Sequence, residues 1–208
     1  NDPAPSADAP ILFLDVVEKG KYDDAARMIA AGVNVNALNS QRKSALCIAV
    51  ENRDRHMVKL VLKAGADVAK FEKETGASLL ALLADASTNF SPDEEPIACM
   101  LMDNGAQAQT YTRTGVPLLA RYASLGMARA VDTALVAGAE PNASTPGDFM
   151  TALHYAVTQG DTDIITNLLA RGADPECAGQ KSISPLLMAL RQTPAEKRIE
   201  TVKALLAG

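Results

Sequence analysis

Histidine and cysteine, side chains often used for acid–base, nucleophilic and metal chemistry, are few in this 208-residue chain. It has two histidines, His56 and His154, and three cysteines. The sequence contains no zinc-protease HExxH motif, no paired CxxC motif, no GxSxG nucleophile turn and no phosphate-binding Walker loop. Such motifs hold nucleophiles, bases and metal ligands at the distances that catalysis requires. We therefore predict a protein without catalytic activity, bound metal or cofactor.

Three acidic segments could be mistaken for cation sites and are better explained as helix starts. Ser91-Pro92-Asp93-Glu94 has the Ser-x-x-Glu form of a capping box, and Thr193-Pro194-Ala195-Glu196 repeats it with Thr. Acidic side chains there also favour the positive end of the helix dipole. Asp161-Thr162-Asp163 is interpreted as a helix opening because the remaining ligand spacing of a calcium loop is missing.

The three cysteines do not indicate a disulfide framework. Cys47 and Cys99 have apolar helical neighbours and are predicted to be small core residues. Cys177 lies in a predicted loop and is expected to be accessible. An odd number of cysteines leaves at least one thiol unpaired in a monomer.

A Gly-Ala or Gly-Val pair returns through the chain and defines its organisation. The glycines are Gly32, Gly65, Gly105, Gly138 and Gly172, and they lie 33, 40, 33 and 34 residues apart. A period in this range predicts stacked supersecondary units and not one closed domain around an active-site cleft. The repeat therefore favours binding over catalysis.

Each repeat is predicted to contain two short helices. Apolar residues recur at three- and four-residue steps before each glycine, and the glycine suits a left-handed helix end. The predicted segments are 26–30, 58–62, 131–136 and 164–169, with upstream partners at 45–50, 78–83, 117–120, 152–157 and 185–189.

The most regular copy reads Thr151-Ala152-Leu153-His154-Tyr155-Ala156, followed by Gly172-Ala173-Asp174. This resembles the Thr-Pro-Leu-His-x-Ala and Gly-Ala-Asp motifs of the ankyrin-repeat family, and segments 44–47 and 184–187 match more weakly. The resemblance covers about residues 10–208. It implies an all-α ankyrin-repeat solenoid of about six helix–turn–helix units with hairpin-like fingers, the first and last units acting as caps. It also implies that His154 hydrogen-bonds to backbone and ties neighbouring fingers together.

The resemblance sets the expected domain organisation. A flexible segment at 1–9 precedes a single domain at 10–208, with units at about 10–36, 37–69, 70–109, 110–142, 143–176 and 177–208. The third unit is too long, with its excess near 87–96 between its two helices. The fingers of the fourth and fifth units are expected to be one residue short and one residue long.

The resemblance also implies a partner-binding face, formed by the fingers and the exposed side of each unit's first helix. Six residues beyond the glycines, three successive fingers carry Leu38, Phe71 and Tyr111. Such exposed apolar and aromatic side chains favour binding, although each ring could instead pack on the adjacent finger. The predicted contact residues are Leu38, Arg42, Lys43, Glu51, Asn52, Phe71, Lys73, Glu74, Asp85, Tyr111, Arg113, Asp148, Phe149, Gln159, Lys181 and Arg191.

Composition limits the class of partner. The net charge is −5 with scattered basic residues, which argues against nucleic acid and anionic membranes. No apolar run approaches the roughly 20 residues that span a bilayer. The mixed charges around the predicted face suit another folded protein. The chain is expected to be a monomer or to self-associate weakly, since unshielded end repeats would favour association.

The first residues suggest a cellular location. Residues 1–10 are polar and proline-rich and begin without Met, as mature exported proteins often do. We therefore expect a periplasmic or secreted protein, with a cytoplasmic one as the alternative. The most concrete expectation is an exported bacterial inhibitor or immunity protein that occludes a toxic effector or hydrolase. A cytoplasmic or host-directed adaptor and a periplasmic stress factor supporting another enzyme are the alternatives.

Overall fold

The computed structural model describes residues 9–69, 72, 76, 78–85, 93–179 and 183–207. The chain divides into two compact units, Asn1–Ala106 and Gln107–Gly208. Within the described residues all regular structure is helical, apart from one isolated antiparallel bridge between Tyr111 and Pro117. The predicted all-α fold is confirmed.

The first unit contains six described helices that form three consecutive pairs. They are α1 (Ala9–Glu18), α2 (Tyr22–Ala30), α3 (Ala45–Glu51), α4 (Arg55–Lys63), α5 (Leu79–Asp85) and α6 (Glu94–Asp103). The first helices of the pairs pack in the order α1, α3, α5, and the second helices in the order α2, α4, α6.

The second unit repeats this arrangement. Its described helices are α7 (Leu118–Ser124), α8 (Ala128–Val136), α9 (Ala152–Gln159), α10 (Thr162–Ala170), α11 (Pro185–Gln192) and α12 (Arg198–Ala207). Helices α7, α9 and α11 pack in series, as do α8, α10 and α12. Both units are thus stacks of helix–turn–helix repeats, and all the predicted helical segments are confirmed. The single-domain boundaries and the repeat limits proposed from sequence stay predictions.

The core is a series of equivalent apolar positions and not one large cluster. The first helices place Phe13, Leu46, Leu80, Leu119 and Leu153 at one such position, and all five are buried. Burying one such side chain contributes about 1.5–3 kcal/mol. Cys47 and Cys99 are also buried, as predicted.

The glycines of the repeat end the second helices as the sequence predicts. Gly65 has a φ of 90°, its N–H donates to Leu62 O at 3.0 Å, and the Ala66 N–H donates to Val61 O at 3.0 Å. This is a Schellman motif, in which a left-handed residue satisfies the last carbonyls of the helix. A residue with a side chain would be strained there, which explains the recurrence of glycine.

One predicted helix start, at Asp161, is confirmed, and another, at Thr193, is wrong. Asp161 accepts a hydrogen bond from the Ile164 N–H at 3.1 Å, so α10 opens as predicted. The expected capping box at Thr193 is wrong, because α12 begins at Arg198. The Thr193 hydroxyl instead donates to the Val157 carbonyl at 2.7 Å and so satisfies the end of the preceding first helix. In the other expected box, Ser91 lies outside the described residues, and α6 begins at Glu94.

In each unit a side-chain amide joins two successive repeats. In the second unit Asn142 donates to the Gly172 carbonyl at 3.0 Å and accepts from the Asp174 N–H at 2.8 Å. Asn36 makes the equivalent pair with Gly65 and Asp67 in the first unit, at 3.0 and 2.9 Å. One asparagine side chain thus satisfies two backbone groups just beyond the end of the following repeat's second helix. These bonds fix the position of one repeat relative to the next.

His154 makes the link that the resemblance implied. Its Nδ1 accepts from the Thr151 N–H at 3.2 Å, and its Nε2 donates to the Ile183 carbonyl at 3.1 Å. The ring is fully buried and lies against Gly179, where an added Cβ would be 3.0 Å from Nε2. Burial lowers the pKa of His154, and the bond to Ile183 opposes that shift. The neutral imidazole therefore closes the start of α9 and ties it to the following finger.

We expect Asn142→Ala to lower the free energy of unfolding by about 1–2 kcal/mol, since two net hydrogen bonds are lost. Asn142→Asp keeps the acceptor for the Asp174 N–H and loses the donor to the Gly172 carbonyl. Its free energy of unfolding should therefore lie between those of wild type and Asn142→Ala. Urea unfolding of the three proteins measures the order. Equal stability of Asn142→Ala and wild type would contradict the bridging role.

Stability should also depend on pH through His154. Its pKa is lowered below 6.5 in the folded protein, so the unfolded chain binds the extra proton first as pH falls. Lowering the pH through 6.5 should therefore destabilise the fold, by at most about 1.4 kcal/mol per pH unit. Urea unfolding at about pH 7.5 and about pH 5.5 measures this loss. His154→Gln should reduce this loss of stability, and the control His56→Gln, at an exposed residue, should not. A loss of the same size in His154→Gln and wild type would show that His154 is not its cause.

Candidate protein-binding surface

Four hairpin-like fingers are closed by backbone hydrogen bonds, as the resemblance implied. The closing pairs run from N–H to O and are Asn39 to Lys43 (3.0 Å), Thr112 to Val116 (2.8 Å), Thr145 to Met150 (2.9 Å) and Gly179 to Ile183 (3.0 Å). The finger closed by Thr145 and Met150 is one residue longer than the other three. The long fifth finger is thus confirmed, whereas the expected short fourth finger is wrong because it has the common length.

The finger turns require a left-handed residue just before the closing residue. That position is held by Gly115 with a φ of 80°, by Arg42 with a φ of 60° and by Phe149 with a φ of 55°. A residue with a side chain is strained in this region by roughly 1–2 kcal/mol. Of these three fingers, only the one with Gly115 has the residue type that its backbone favours.

The fifth finger holds this strained geometry through Thr145. The Thr145 hydroxyl donates to the Asp148 carboxylate, lies 3.1 Å from the Met150 carbonyl oxygen and accepts from the Met150 N–H at 3.0 Å. The Phe149 N–H donates to the Thr145 carbonyl at 3.1 Å. Thr145 is 3% exposed, so these bonds are shielded from water. The buried hydroxyl fixes the loop while the Phe149 ring stays 59% exposed.

Tyr111 lies at the base of the neighbouring finger in the same unit. Its ring is 46% exposed, and its hydroxyl accepts from the Gln109 amide at 2.9 Å. The two fingers approach each other closely, because a Cβ added to Gly115 would lie 3.4 Å from Pro146. Two partly exposed aromatic rings therefore belong to adjacent, contacting fingers. We call Tyr111, Arg113, Asp148 and Phe149 the finger surface of the second unit.

In the first unit, two predicted contact residues pair with each other. Lys43 and Glu51 form an ion pair at 2.6 Å, and the hydrogen bond that Lys43 donates to Glu51 raises the pKa of Lys43. Leu38 is half-buried and Arg42 is exposed. The Asn52 amide donates to the Glu18 carbonyl at 3.3 Å. Part of this predicted surface thus stabilises the repeat stack itself.

Gln159 has the role in the second unit that Asn52 has in the first. Its amide donates to the Ser124 carbonyl at 3.3 Å, at the end of the preceding first helix. Arg113 and Arg191 are exposed. Phe71, Lys73, Glu74, Lys181 and the side chain of Asp85 lie outside the described residues. A contact role for any of these residues stays a prediction.

Sequence reasoning missed Thr145 and Tyr155. Tyr155 is half-buried on α9, and its hydrogen bond with Thr145 opposes the burial that raises its pKa. Tyr155 follows His154 in the repeat motif, at a helix position turned from the core toward the fifth finger. The sequence signal for Thr145 is that it is a polar residue directly before the Pro146-Gly147 pair of the finger.

The described residues offer little for catalysis. Among them, no group of three or more His, Cys, Asp or Glu side chains could hold a metal ion. Burial raises the pKa of Cys47 to about 11, which keeps this thiol protonated and poorly nucleophilic near neutral pH. Cys177, expected to be accessible, is half-buried and also has a raised pKa because of burial. In the part of the chain that the structure describes, no helix is long and apolar enough to cross a membrane.

Comparison with known proteins identifies the repeat. Residues 119–208 match the family model for ankyrin repeats (3 copies). The nuclear factor NF-kappa-B p105 subunit of Gallus gallus is 28% identical over 164 residues, which are 79% of this chain and only 16% of that protein.

Solved structures extend the likeness over nearly the whole chain. An ankyrin repeat domain from Acinetobacter baumannii AYE has 22% identity and a TM-score of 0.69, with 94% of this chain and 96% of that chain covered. The ankyrin repeat domain of Bcl-3 has 19% identity and a TM-score of 0.61, with 92% and 81% covered. The chain therefore carries ankyrin repeats, a protein–protein interaction module, matched in sequence over residues 119–208 and in fold over nearly its whole length.

Proposed function

We propose that this chain is a non-catalytic binding module that holds a folded partner protein against the finger surface of its second unit. The observation that carries this proposal is Phe149, a ring that is 59% exposed on a backbone with a φ of 55°. Both properties are unfavourable in the free protein. Glycine would suit the turn, as Gly115 does in the neighbouring finger.

The backbone strain at Phe149 can be compared with the free energy that burial of its ring would contribute to binding. A left-handed backbone costs a residue with a side chain roughly 1–2 kcal/mol. Strain of this kind clusters at ligand-binding sites, where the surroundings hold it in place. A buried aromatic anchor contributes about 2 kcal/mol or more to an interface. Binding through the Phe149 ring therefore more than offsets the strain.

The surrounding groups favour a folded protein as the partner. Arg113 and Asp148 give the two fingers side chains of opposite charge, and the chain's net charge is −5. A mixed-charge rim around an aromatic centre is typical of protein interfaces and unsuited to a polyanion. The finger is already fixed by the Thr145 bonds, so little ordering entropy is lost on association.

The more specific form of the proposal is an exported bacterial inhibitor, or immunity protein, that covers a toxic effector or hydrolase in the periplasm or outside the cell. A rigid preformed surface supports occlusion of a folded enzyme. A cytoplasmic or host-directed adaptor would fractionate with the cytoplasm, and a periplasmic stress factor would change its partner's abundance and not its activity. Cell fractionation and partner assays separate these versions.

Substitutions at position 149 separate the ring from the strain beneath it. Phe149→Gly removes both, Phe149→Ala removes only the ring, and Phe149→Tyr keeps both. We expect Phe149→Gly to be about 1 kcal/mol more stable than Phe149→Ala in urea unfolding, because only glycine relaxes the turn. Partner recovery from lysate and envelope fractions of the source organism should fall at least about tenfold for Gly and Ala and persist for Tyr.

Val136→Ala is the matched control for this capture, because Val136 is 65% exposed on α8 and outside the finger surface. It should recover the partner as wild type does. Undiminished recovery by Phe149→Ala would refute the proposed site. Loss of recovery by both Phe149→Ala and Val136→Ala would place the contact on a different or wider surface.

A further inference from the structure

Gln109 occupies the position of the bridging asparagines but makes one different hydrogen bond. Gln109, Asn36 and Asn142 each lie four residues beyond a repeat glycine. The Gln109 Oε1 accepts from the Glu140 N–H at 2.7 Å, as the asparagines accept from the equivalent N–H of their next repeat. The asparagine amides donate to a glycine carbonyl, whereas Gln109 Nε2 donates to the Tyr111 hydroxyl at 2.9 Å. The longer glutamine side chain therefore joins the link between repeats to a ring of the finger surface.

The backbone bond determines which end of the Gln109 amide faces Tyr111. A backbone N–H can only donate, so the amide oxygen faces Glu140 and the NH2 group faces the tyrosine. An amide NH2 group donates and does not accept, so the Tyr111 hydroxyl oxygen is the acceptor of this bond. The hydroxyl proton is consequently directed to some other group.

This proton makes the exposed end of the Tyr111 ring a hydrogen-bond donor. Within the part of the chain that the structure describes, no group accepts a hydrogen bond from the Tyr111 hydroxyl. The ring is 46% exposed, so the O–H can reach a partner. Successive hydrogen bonds polarise one another, so the bonds from Glu140 through Gln109 strengthen the outward O–H as a donor.

The position of this donor is set before any partner binds. The backbone of Tyr111 forms the antiparallel bridge with Pro117, and the Leu118 N–H donates to the Thr110 carbonyl at 3.0 Å beside it. The hydroxyl end of the ring is held by Gln109, which the next repeat holds in turn. A donor that is already in place loses little ordering entropy on association.

We propose that Tyr111 donates a hydrogen bond to an acceptor oxygen of the partner protein, a carboxylate or a carbonyl, and that Gln109 is the positioning residue that sets the direction of this bond. The inference rests on the proposed function, since the same finger surface must contact the partner. It adds the chemistry of the group that lies against Tyr111. Asparagine would not serve at this position, because in the other two repeats it donates to the glycine carbonyl.

Gln109→Glu reverses the bond while it keeps both side chains. One carboxylate oxygen still accepts from the Glu140 N–H. The other has no proton to donate near neutral pH, so the Tyr111 hydroxyl donates to it and no longer to the partner. Gln107→Glu is the matched control, because it adds the same charge two residues away. It lies two residues beyond Gly105, where the next repeat has Glu140 two residues beyond Gly138.

The probe is the protein that wild type captures and Phe149→Ala does not, purified and titrated against each variant by calorimetry. Tyr111→Phe keeps the ring and should raise the dissociation constant about two- to tenfold for a carbonyl acceptor, and about ten- to a hundredfold for a carboxylate. Gln109→Glu should raise it at least as much, whereas Gln107→Glu should bind as wild type does. The double variant Gln109→Glu/Tyr111→Phe should bind like Gln109→Glu alone, because the glutamine acts through the hydroxyl.

A second measurement needs no partner. Fluorine NMR of protein labelled with fluorotyrosine, with the Tyr111 resonance assigned from Tyr111→Phe, reports the environment of the hydroxyl. This resonance should move in Gln109→Glu and stay in place in Gln107→Glu, and urea unfolding checks that both variants are folded.

Two results would overturn the inference and leave the contact at Phe149 intact. They are equal affinities of wild type and Tyr111→Phe, and a Gln109→Glu variant that binds as tightly as wild type. A wild type that captures no protein would instead refute the proposed function. In that case an unmoved Tyr111 resonance in Gln109→Glu would still overturn the positioning role of Gln109.

Discussion

A pair of short helices cannot bury both of its sides by itself, and the structure of each unit depends on this constraint. Within a unit a following repeat packs on its predecessor, as α5 does on α3 and α11 on α9, so Val50 and Val157 are fully buried although their helices have only two turns. The step between repeats is fixed by polar bonds from side chains, including the Asn142 bridge and the Thr193 hydroxyl on Val157. Burial supplies the stability and these bonds set the geometry, so the fingers project from a backbone with little freedom to move.

Much of this fold could be predicted from the sequence because its signals are local and repeated. The glycines mark helix ends through their left-handed backbone, and the apolar steps mark the helices. The helix start predicted at Thr193 is wrong because the Thr193 hydroxyl donates to the Val157 carbonyl of another repeat. A local capping pattern contains no information about such a long-range hydrogen bond. Asn52 and Gln159 similarly look like surface contacts in sequence and prove to bridge first helices.

The candidate site was only partly predictable for a related reason. Tyr111 could be located by counting from Gly105, and Phe149 was predicted as one of the contact residues around it, but nothing local shows that the ring of Phe149 stands on a left-handed residue. That conformation is the one that the finger turn requires just before its closing residue, and the buried Thr145 hydroxyl holds it in place. Backbone strain beneath an exposed aromatic ring distinguishes this position from other surface side chains, and it appears only once the finger's hydrogen bonds are known.

If the finger surface of the second unit contacts a partner protein, positions 111 and 149 lie within crosslinking distance of that partner. This can be tested with a photo-crosslinking phenylalanine analogue placed singly at positions 111, 149 and 136, followed by irradiation in cells of the source organism. One discrete adduct of the same mass is expected from positions 111 and 149, and none from position 136. An adduct from position 136 alone, or no adduct from either finger position, would contradict it.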